Sequence, residues 1–353
     1  MRKTACVLMF LFLCAVPVFS QAVEEKAPES EMIQFTDSCG RTVEIPAKVT
    51  KVAPSGAVAT MMLSAIAPEY MCNVNSAPSA SQMEYLPPVL ASLPATGQLY
   101  GGKSTLNYEE LIALGAEILI DMGDYKKGIA EDLDALQAQI GIPCIFIEAD
   151  LNHMASAFRS LGRILDGKAE RAEEVAEFID RVMWMAGDLS AKVTEEEKLS
   201  VMYTSGTDGL GTNAKGSSQA QVIEIVGAEN AIEVEKVSSK GGGNIVSLEQ
   251  VYNADPDVIL FTADSIYDSV ASDPAWANLR AIKEGHFYRI PGDPYVWMSN
   301  PPSMNMIMGI LWLGNLLYPQ YYDYDMAEAT VKMFRVLWGC DITADEATRI
   351  LGK

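Results

Sequence analysis

Two stretches of the chain, 140 residues apart, carry the same block of sequence. Residues 101–124 read GGKSTLNYEELIALGAEILIDMGD, and residues 241–264 read GGGNIVSLEQVYNADPDVILFTAD. Aligned without gaps, Glu109 falls on Glu249, and both glycine pairs, both apolar runs and both final aspartates also coincide. Each copy reads as a glycine turn, a short capped helix and a buried strand that ends in a polar loop. The repeat predicts two similar lobes with a cleft between them.

Strands and helices alternate on both sides of these blocks. The first half has strand patterns at 49–53, 70–74, 117–121 and 144–148 and helix patterns at 55–66, 107–115 and 128–140. The second half has strand patterns at 199–203, 258–261 and 287–290 and helix patterns at 218–227 and 248–254. Alternation with short connections is typical of a parallel sheet flanked by helices. The predicted fold class is therefore α/β, with two Rossmann-like lobes.

The stretch between the lobes has a different pattern. From Leu151 to Lys198 it contains no proline and has apolar residues at helical spacing. It predicts one long helix or two in series, with possible bends at Gly162, Gly167 and Gly187. The predicted organisation is an N-terminal lobe at 33–150, a connecting helix at 151–197, a C-terminal lobe at 198–320 and C-terminal helices at 321–353.

The first 22 residues have the pattern of a secretory signal peptide. A positively charged start precedes an apolar run at residues 5–16, and small residues offer cleavage after Ser20 or Ala22. The run is too short for a stable membrane span. Cys14 would be the site of a lipid anchor, but the large residue before it favours plain cleavage. The mature chain is therefore expected to be exported, to the periplasm or another extracytoplasmic face.

The charge of the chain excludes some partners. The chain has 47 Asp plus Glu against 26 Lys plus Arg, for a net charge of −21. A chain this acidic is a poor binder of nucleic acids and anionic lipids. Residues 23–32, directly after the leader, form a polar tether that is left out of the predicted fold.

Four cysteines follow the leader: Cys39, Cys72, Cys144 and Cys340. They allow three complete disulfide pairings, and the sequence does not choose between them.

One motif suggests an ATPase. Residues 97–104 fit the phosphate-loop pattern GxxxxGK[ST], in which Lys103 would contact phosphates and Ser104 magnesium. Residues 92–96 do not read as the buried strand that should precede such a loop, and the second copy lacks the lysine. The run 118–121 resembles a Walker B strand but follows too closely. A glycine turn before a helix is the preferred interpretation.

Other catalytic or metal-binding patterns are weak. The chain has two histidines, His153 at the start of the connecting helix and His286 in a turn before a strand, and no GxSxG motif. A site for bare zinc or manganese needs several histidine and carboxylate ligands. No catalytic residue, protein-held metal or resident cofactor is predicted, and the chain is not expected to be an enzyme.

Several motifs in a fixed order resemble a known family. Residues 37–46 (DSCGRTVEIP), the twin glutamate blocks, the long helical stretch, residues 297–303 (WMSNPPS) and residues 311–319 (LWLGNLLYP) are similar to periplasmic binding proteins of iron-siderophore, haem and vitamin B12 ABC importers. The resemblance covers about residues 33–320. It implies two α/β lobes joined by a rigid helix, a ligand between them, and one glutamate per lobe that docks on permease arginines. Those residues would be Glu109 and Glu249.

The local sequence supports outward-facing glutamates. Asn107 and Ser247 are suitable N-caps, and Glu110 and Gln250 three residues later predict capping boxes. The docking candidates then lie in the first helical turn. Alternatively, they only complement the helix dipole. Their equivalent positions in the repeat favour docking.

Ligand contacts are predicted in the loops that follow the carboxyl ends of the strands. The candidates are Ser55, Gly56, Tyr100, Lys103, Tyr125, Tyr203, Ser205, Asn244, Tyr295 and Trp297. The aromatic residues would give flat walls with polar tips, suited to a large chelate or macrocycle, and Lys103 would meet anionic oxygens. For each, ordinary packing or a solvated surface charge is the plainer alternative.

The sequence thus predicts a monomeric receptor that captures a metal chelate and delivers it to an ABC permease. A ferric siderophore is the leading ligand, and cobalamin or another corrinoid, haem or an oxyanion are the alternatives. Two other classes compete with this prediction. An ATPase would need a strand before Gly97, and an exported metal chaperone should lack the paired glutamates.

Overall fold

The first lobe is built around a short parallel sheet. The computed structural model describes residues 31–101, 106–238 and 243–352, so the signal peptide, Cys14, Lys103 and all of the tether before residue 31 lie outside the described residues. The elements of this lobe are β1 (Met32–Thr36), β2 (Thr42–Pro46), β3 (Val52–Pro54), α1 (Ala57–Ile66), α2 (Tyr108–Leu114), β4 (Ile118–Gly123), α3 (Ile129–Ile140) and β5 (Cys144–Glu148). The strand order is β3-β4-β5, and β1 and β2 form a separate antiparallel hairpin.

One predicted strand of this lobe is wrong. In place of a strand at 70–74, Met71 and Val74 make single bridges to neighbouring segments. The side chain of Asn73 lies between them, fully buried, and its Nδ2 donates to Thr96 Oγ1 at 2.7 Å. A side-chain hydrogen bond thus occupies the place of a continuous backbone ladder.

Two helices in series follow, α4 (Met154–Ile164) and α5 (Ala169–Ser190), which is one of the two arrangements predicted for this stretch. The break contains Gly167, whose φ of 66° is left-handed and suits a residue just beyond a helix end. The two helices pack closely where Gly162 faces Ala172. A Cβ added at Gly162 would lie only 2.7 Å from the Cβ of Ala172. At 1.5 Å per residue, α5 alone spans about 33 Å.

The second lobe contains a second parallel sheet. Its elements are β6 (Ser200–Thr204), β7 (Gly211–Thr212), α6 (Gln221–Ile225), β8 (Glu229–Asn230), β9 (Asn244–Ile245), α7 (Leu248–Ala254), β10 (Val258–Phe261), α8 (Arg280–Glu284) and β11 (Phe287–Arg289). The sheet order is β11-β10-β6-β8, with all pairs parallel. Strands β7 and β9 pair antiparallel. The prediction of an α/β fold with two lobes is confirmed.

The C-terminal helices join the lobes into one body. They are α9 (Asn305–Leu317), α10 (Met326–Met333) and α11 (Ala344–Ile350), with a π-helical turn at Phe334–Trp338. One hydrophobic core includes side chains of both sheets, of α5 and of these helices. The ring of Phe334 packs edge-on against Tyr85 of the N-terminal lobe, with centroids 5.1 Å apart. Within the described ranges, no helix is long and apolar enough to cross a membrane.

The repeat in sequence is also a repeat in structure. Helix α2 and strand β4 of the first copy correspond to α7 and β10 of the second, and the burial classes of residues 111–120 and 251–260 agree at every position. Both copies anchor the neighbouring strand alike. The Glu117 carboxylate accepts the backbone N–H of Lys51 at 2.9 Å, and that of Asp257 accepts the N–H of Ser200 at 2.8 Å.

Only one of the two predicted capping boxes forms. Ser247 and Gln250 make the reciprocal pair at the start of α7. At α2, the Asn107 side chain accepts the N–H of Glu110 at 3.2 Å, but the Asn107 N–H donates to Thr96 O at 2.8 Å. Glu110 therefore has no backbone donor left to bind at the cap.

The packing of α9 gives a testable expectation. A Cβ added at Gly309 would lie 2.1 Å from Trp297 O. We expect Gly309→Ala to lower the free energy of unfolding by about 1–3 kcal/mol, because the helix or the facing segment must shift. Urea unfolding followed by circular dichroism measures this. The control is Gly187→Ala in α5, where an added Cβ meets nothing within 4 Å and should stabilise by about 0.5–1 kcal/mol. Equal effects at both sites would contradict the close packing.

Candidate functional site

Two cavities lie on either side of a short segment that follows the second sheet. The first, of about 490 Å³, is lined mainly by the C-terminal lobe, and the second, of about 310 Å³, mainly by the N-terminal lobe. We call them the C-lobe cavity and the N-lobe cavity. Residues 295–301, the wall segment, contribute to both, and Asn300 lines both. Because the two cavities share Asn300, we take them together as the candidate cleft.

Three of the predicted cleft residues line these cavities. Tyr203, in β6, and Ser205, just after it, line the C-lobe cavity, and Tyr295 lines the N-lobe cavity. Burial raises the pKa of Tyr203 well above its ordinary value, although a hydrogen bond with Ser299 opposes the shift. Burial raises the pKa of Tyr295 to about 12. Both phenols therefore stay protonated at neutral pH and offer hydroxyl groups rather than phenolate ligands. Their role in binding stays a prediction.

Four other predicted residues lie in the N-terminal lobe but do not line either cavity. Ser55 is buried and its Oγ donates to the Asp121 carboxylate. Gly56 is half-buried before α1. Tyr100 donates to Asp132 Oδ2 at 2.7 Å. Tyr125 is 58% exposed, with its ring edge-on to a buried phenylalanine. None of these four residues lines either cavity, and their role in ligand binding stays a prediction.

Two of the remaining predicted residues make hydrogen bonds within the fold, and the third lies outside the described residues. Asn244, in β9, accepts the N–H of Ser238 at 2.9 Å and donates to Lys236 O at 2.9 Å. Trp297 is fully buried and its Nε1 donates to Asp293 O at 2.8 Å. Its ring packs in the core and so shapes the wall segment from behind, instead of forming a flat face of the cleft. Lys103 lies outside the described residues.

The sequence prediction missed most of the polar groups that line the cleft. In the C-lobe cavity they are Asp208, Asn213, Gln219, Thr262 and Asp264, and in the N-lobe cavity Thr60, Asn75, Ser76, Gln82 and Gln98. One signal was available. Asp264 ends the second repeat block, three residues after the end of β10, in the region where a parallel sheet presents its ligand-binding loops.

The wall segment is held by buried hydrogen bonds. Asn305, the first residue of α9, is fully buried, and its Nδ2 donates to Val296 O at 2.5 Å and to Ser299 O at 3.2 Å. The Ser299 hydroxyl in turn accepts from Asn213 Nδ2 at 3.2 Å and donates to Gln219 Oε1 at 3.3 Å. These bonds tie the wall to the C-terminal lobe and fix the surface that both cavities share.

The cleft has an acidic rim. Asp208 and Asp264 line the C-lobe cavity and are exposed to solvent. Asp264 Oδ1 accepts the hydroxyl of Thr262 at 2.5 Å, and Asp208 Oδ1 accepts the N–H of Leu210 at 3.0 Å. Neither lysine nor arginine occurs among the described lining residues. Asp208 and Asp264 are therefore the only charged side chains in the described lining of the two cavities.

His153 lies beside two carboxylates. Glu148, Asp150 and His153 bring their ligand atoms within 4.8 Å of one another. Asp150 Oδ1 accepts the backbone N–H groups of Asn152 and His153 and contacts His153 Nδ1, each at 2.9 Å. Asp150 thus holds the turn that leads into α4, and this structural role accounts for the cluster. None of the three lines either cavity.

The structure also bears on the ATPase alternative and on the cysteines. No strand directly precedes Gly97 in the described chain, and α2 begins only at Tyr108. Asp121, the acidic end of the Walker-like run, is buried, and burial raises its pKa. All four described cysteines are unpaired. Burial raises the pKa of the Cys144 thiol to about 12, so this strand cysteine is an inert core residue.

Comparison with known proteins identifies the family. Residues 73–294, which is 222 of 353 residues, match the family described as periplasmic binding protein. The chain belongs to the periplasmic binding protein family. This is a family of binding proteins rather than enzymes, so the prediction of a non-enzymatic chain is confirmed.

Two curated relatives differ in ligand. The chain is 23% identical over 199 residues to the Fe(3+)-citrate-binding protein YfmC of Bacillus subtilis, covering 55% of this chain and 60% of that protein. It is 29% identical over 166 residues to the molybdate-binding protein MolA of Haemophilus influenzae, covering 46% of this chain and 44% of that protein. The matched region thus spans about half the length of these relatives.

A solved structure supports the fold over nearly the whole chain. The ABC transporter solute binding protein from Sulfurospirillum deleyianum superimposes with a TM-score of 0.83 at 24% sequence identity. The superposition covers 91% of this chain and 99% of that one. At this identity the similarity establishes the two-lobed fold and leaves the ligand open.

The buried amide behind the wall segment gives a prediction with a pH signature. In Asn305→Asp, a carboxyl group would face the carbonyls of Val296 and Ser299, which need a donor. We expect the free energy of unfolding to fall by at least about 2 kcal/mol at pH 7. The new carboxyl should have a raised pKa in the folded state, so the deficit should be smallest near pH 4, where it stays protonated, and grow as pH rises.

The control for this substitution is Asn315→Asp. Asn315 Nδ2 also donates to two backbone carbonyls, but those of Tyr322 and Tyr324, which lie beyond the wall segment. Both variants should lose stability, whereas only Asn305→Asp should also change ligand affinity. Urea titrations from pH 4 to 8 provide the comparison. A pH-independent deficit in Asn305→Asp would contradict the donor role of this amide.

Proposed function

We propose that the protein is an exported solute receptor that binds a metal chelate of neutral or positive charge and delivers it to an ABC permease. A ferric siderophore of the hydroxamate type is the class of ligand that we propose. The single observation that carries this choice is the described lining of the cleft, which has two carboxylates and neither lysine nor arginine. Export rests on the leader at residues 1–22, with lipid anchoring at Cys14 as the less favoured alternative, and we propose a monomer.

The chemistry of the lining favours a chelate over a bare metal ion. Its described polar groups are mostly hydroxyls and amides, which bind neutral oxygens and N–H groups of an organic ligand. Neither histidine nor cysteine occurs among the described lining residues. Tyrosines that remain protonated add further donors. The two volumes, about 490 and 310 Å³, lie in the range of ~300–1,000 Å³ typical of small-molecule sites.

Charge separates the candidate chelates. Three hydroxamate groups neutralise Fe³⁺, so such a complex is neutral, or cationic when the chain also carries an amine. Ferric citrate and molybdate are anions, and haem carries two propionates. An acidic rim repels the anions and attracts the cation. The relatives that are named for ferric citrate and molybdate support the role of a receptor but differ in the charge of their ligand.

We predict a ranking of ligands by charge. Ferrioxamine B, a cation, and ferrichrome, which is neutral, should bind more tightly than ferric citrate, molybdate or haemin, with cyanocobalamin as a bulky neutral comparison. The double variant Asp208→Asn/Asp264→Asn should weaken ferrioxamine B binding about five- to tenfold at low salt, because two solvated charges are lost. Ferrichrome binding should change by less than about twofold. Quenching of tryptophan fluorescence measures both.

The control for net charge is Asp345→Asn, because Asp345 is exposed in α11 and does not line either cavity. It should leave every affinity unchanged. Tightest binding of an anion by the wild-type protein would refute the hydroxamate proposal and leave the receptor role intact. Tightest binding of cyanocobalamin would replace it with a corrinoid.

Docking on the permease is the second part of the proposal. Glu109 and Glu249 are exposed in the first turns of α2 and α7, at equivalent points of the repeat. We expect Glu109→Ala/Glu249→Ala to abolish stimulated transport in vesicles that contain the cognate permease, without changing ligand affinity. Removal of one charge from each lobe leaves the cleft itself intact.

The matched control removes two other first-turn glutamates. Glu170 and Glu328 are exposed in the first turns of α5 and α10. Glu170→Ala/Glu328→Ala loses comparable helix-dipole stabilisation, about 0.3–1 kcal/mol each, and should transport normally. Normal transport by the Glu109→Ala/Glu249→Ala variant would refute glutamate docking.

A further inference from the structure

An exposed apolar side chain accompanies each docking glutamate. Ile112 is 52% exposed and Tyr252 is 39% exposed. They follow Glu109 and Glu249 by three residues, and residues three apart lie on the same face of a helix. Since 252 minus 112 is 140, they also occupy equivalent positions of the repeat. We call Glu109 with Ile112, and Glu249 with Tyr252, the two lobe patches.

The packing of the fold does not cover these side chains. Helices α2 and α7 attach to their lobes through Leu111 and Val251, which are fully buried. A single exposed apolar residue is ordinary on a protein surface. In the part of the chain that the structure describes, however, eight large apolar residues are markedly exposed, and two of them stand at matching places beside matching glutamates.

The Tyr252 ring is held in place as well as exposed. Its hydroxyl donates to Ala275 O at 2.8 Å, so the ring has one fixed orientation. A ring that is already ordered loses little side-chain entropy when a partner covers it. The low entropy cost of covering an ordered ring favours Tyr252 as a contact residue in an interface.

The topology puts both patches at the cleft edge of their lobes. Helix α2 leads into β4, and α7 leads into β10, with each strand parallel to its neighbours. A helix that connects parallel strands runs antiparallel to them, so it starts at the edge where the strands end. That edge also carries the loops that line the cleft. A partner bound to both patches would therefore face the opening through which a ligand leaves.

We propose, building on the permease docking proposed above, that each lobe docks through its whole patch and not through its glutamate alone. The partner surface is a permease that presents a cationic side chain next to an apolar pocket. Because the patches are equivalent, the partner presents this pair twice, as two copies of one subunit or two similar halves. The glutamates supply steering and orientation, and Ile112 and Tyr252 supply desolvated contact area.

The two contributions respond differently to salt and to time. Loss of the glutamates should slow association and flatten the dependence of affinity on ionic strength. Loss of the apolar side chains should speed dissociation, because most changes to a buried contact appear in the dissociation rate. It should leave the salt dependence of affinity unchanged, because no charge is removed. The measurement is biolayer interferometry of the protein, without added ligand, on its cognate permease in lipid nanodiscs at several salt concentrations.

The variants separate the two halves of each patch. Ile112→Ser/Tyr252→Ser should bind at least tenfold more weakly with the wild-type salt slope, and Glu109→Gln/Glu249→Gln should bind weakly with little salt dependence. Trp184→Ser is the matched control, because Trp184 is 74% exposed on α5, outside both copies of the repeat, and should bind like wild type. Thermal melts of all variants check folding. If the double serine variant does not fold, Ile112→Ser alone should still speed dissociation.

The outcomes distinguish this inference from the docking proposal on which it rests. Wild-type binding by folded Ile112→Ser/Tyr252→Ser, together with weak binding by the glutamine variant, would overturn the apolar half of the patch and leave glutamate docking intact. Wild-type binding by both double variants would overturn docking through this face altogether. Weak binding by Trp184→Ser would show a nonspecific apolar effect and would also overturn the patch.

Discussion

Helix α9 can lie against the wall segment only because position 309 has no side chain. The backbone carbonyl of Trp297 occupies the space that a Cβ would need. At the start of the same helix, the Asn305 amide binds the wall from below, and Ser299 ties it to the C-terminal lobe. Both cavities border this segment, so the shape of the cleft depends on a close backbone contact and a few buried hydrogen bonds.

The repeat explains why so much of the fold could be predicted. Caps, glycine turns and buried strands are local signals, and they recur in both copies, so element types and most boundaries follow from short windows of sequence. The two-lobed α/β class follows from their alternation. The break at Gly167 was visible only as one of several glycines, because a glycine in a helical pattern is also tolerated without a bend. The failed strand at 70–74 depended on Asn73, whose partner is distant in sequence.

The cleft was harder to predict, for a physical reason. Its surface comes from loops whose neighbours are set by tertiary packing. Tyr203 lies near the end of β6, Ser205 follows that strand and Tyr295 begins the wall segment, and the strand-end rule was enough to find them. The same rule also selected Ser55, which is used in a buried bond to Asp121, and Trp297, which packs behind the wall. Gln98 lines the N-lobe cavity but lies in a loop that no strand pattern precedes, so the strand-end rule could not select it.

The shared core also makes the two lobes depend on one another. Tyr85 of the N-terminal lobe packs on Phe334, and Arg171 at the start of α5 donates to Val336 O. Both partners belong to the segment between α10 and α11. The N-terminal lobe therefore completes its core with side chains that are distant in sequence. The two lobes are expected to unfold together, as one cooperative unit rather than as two independent domains.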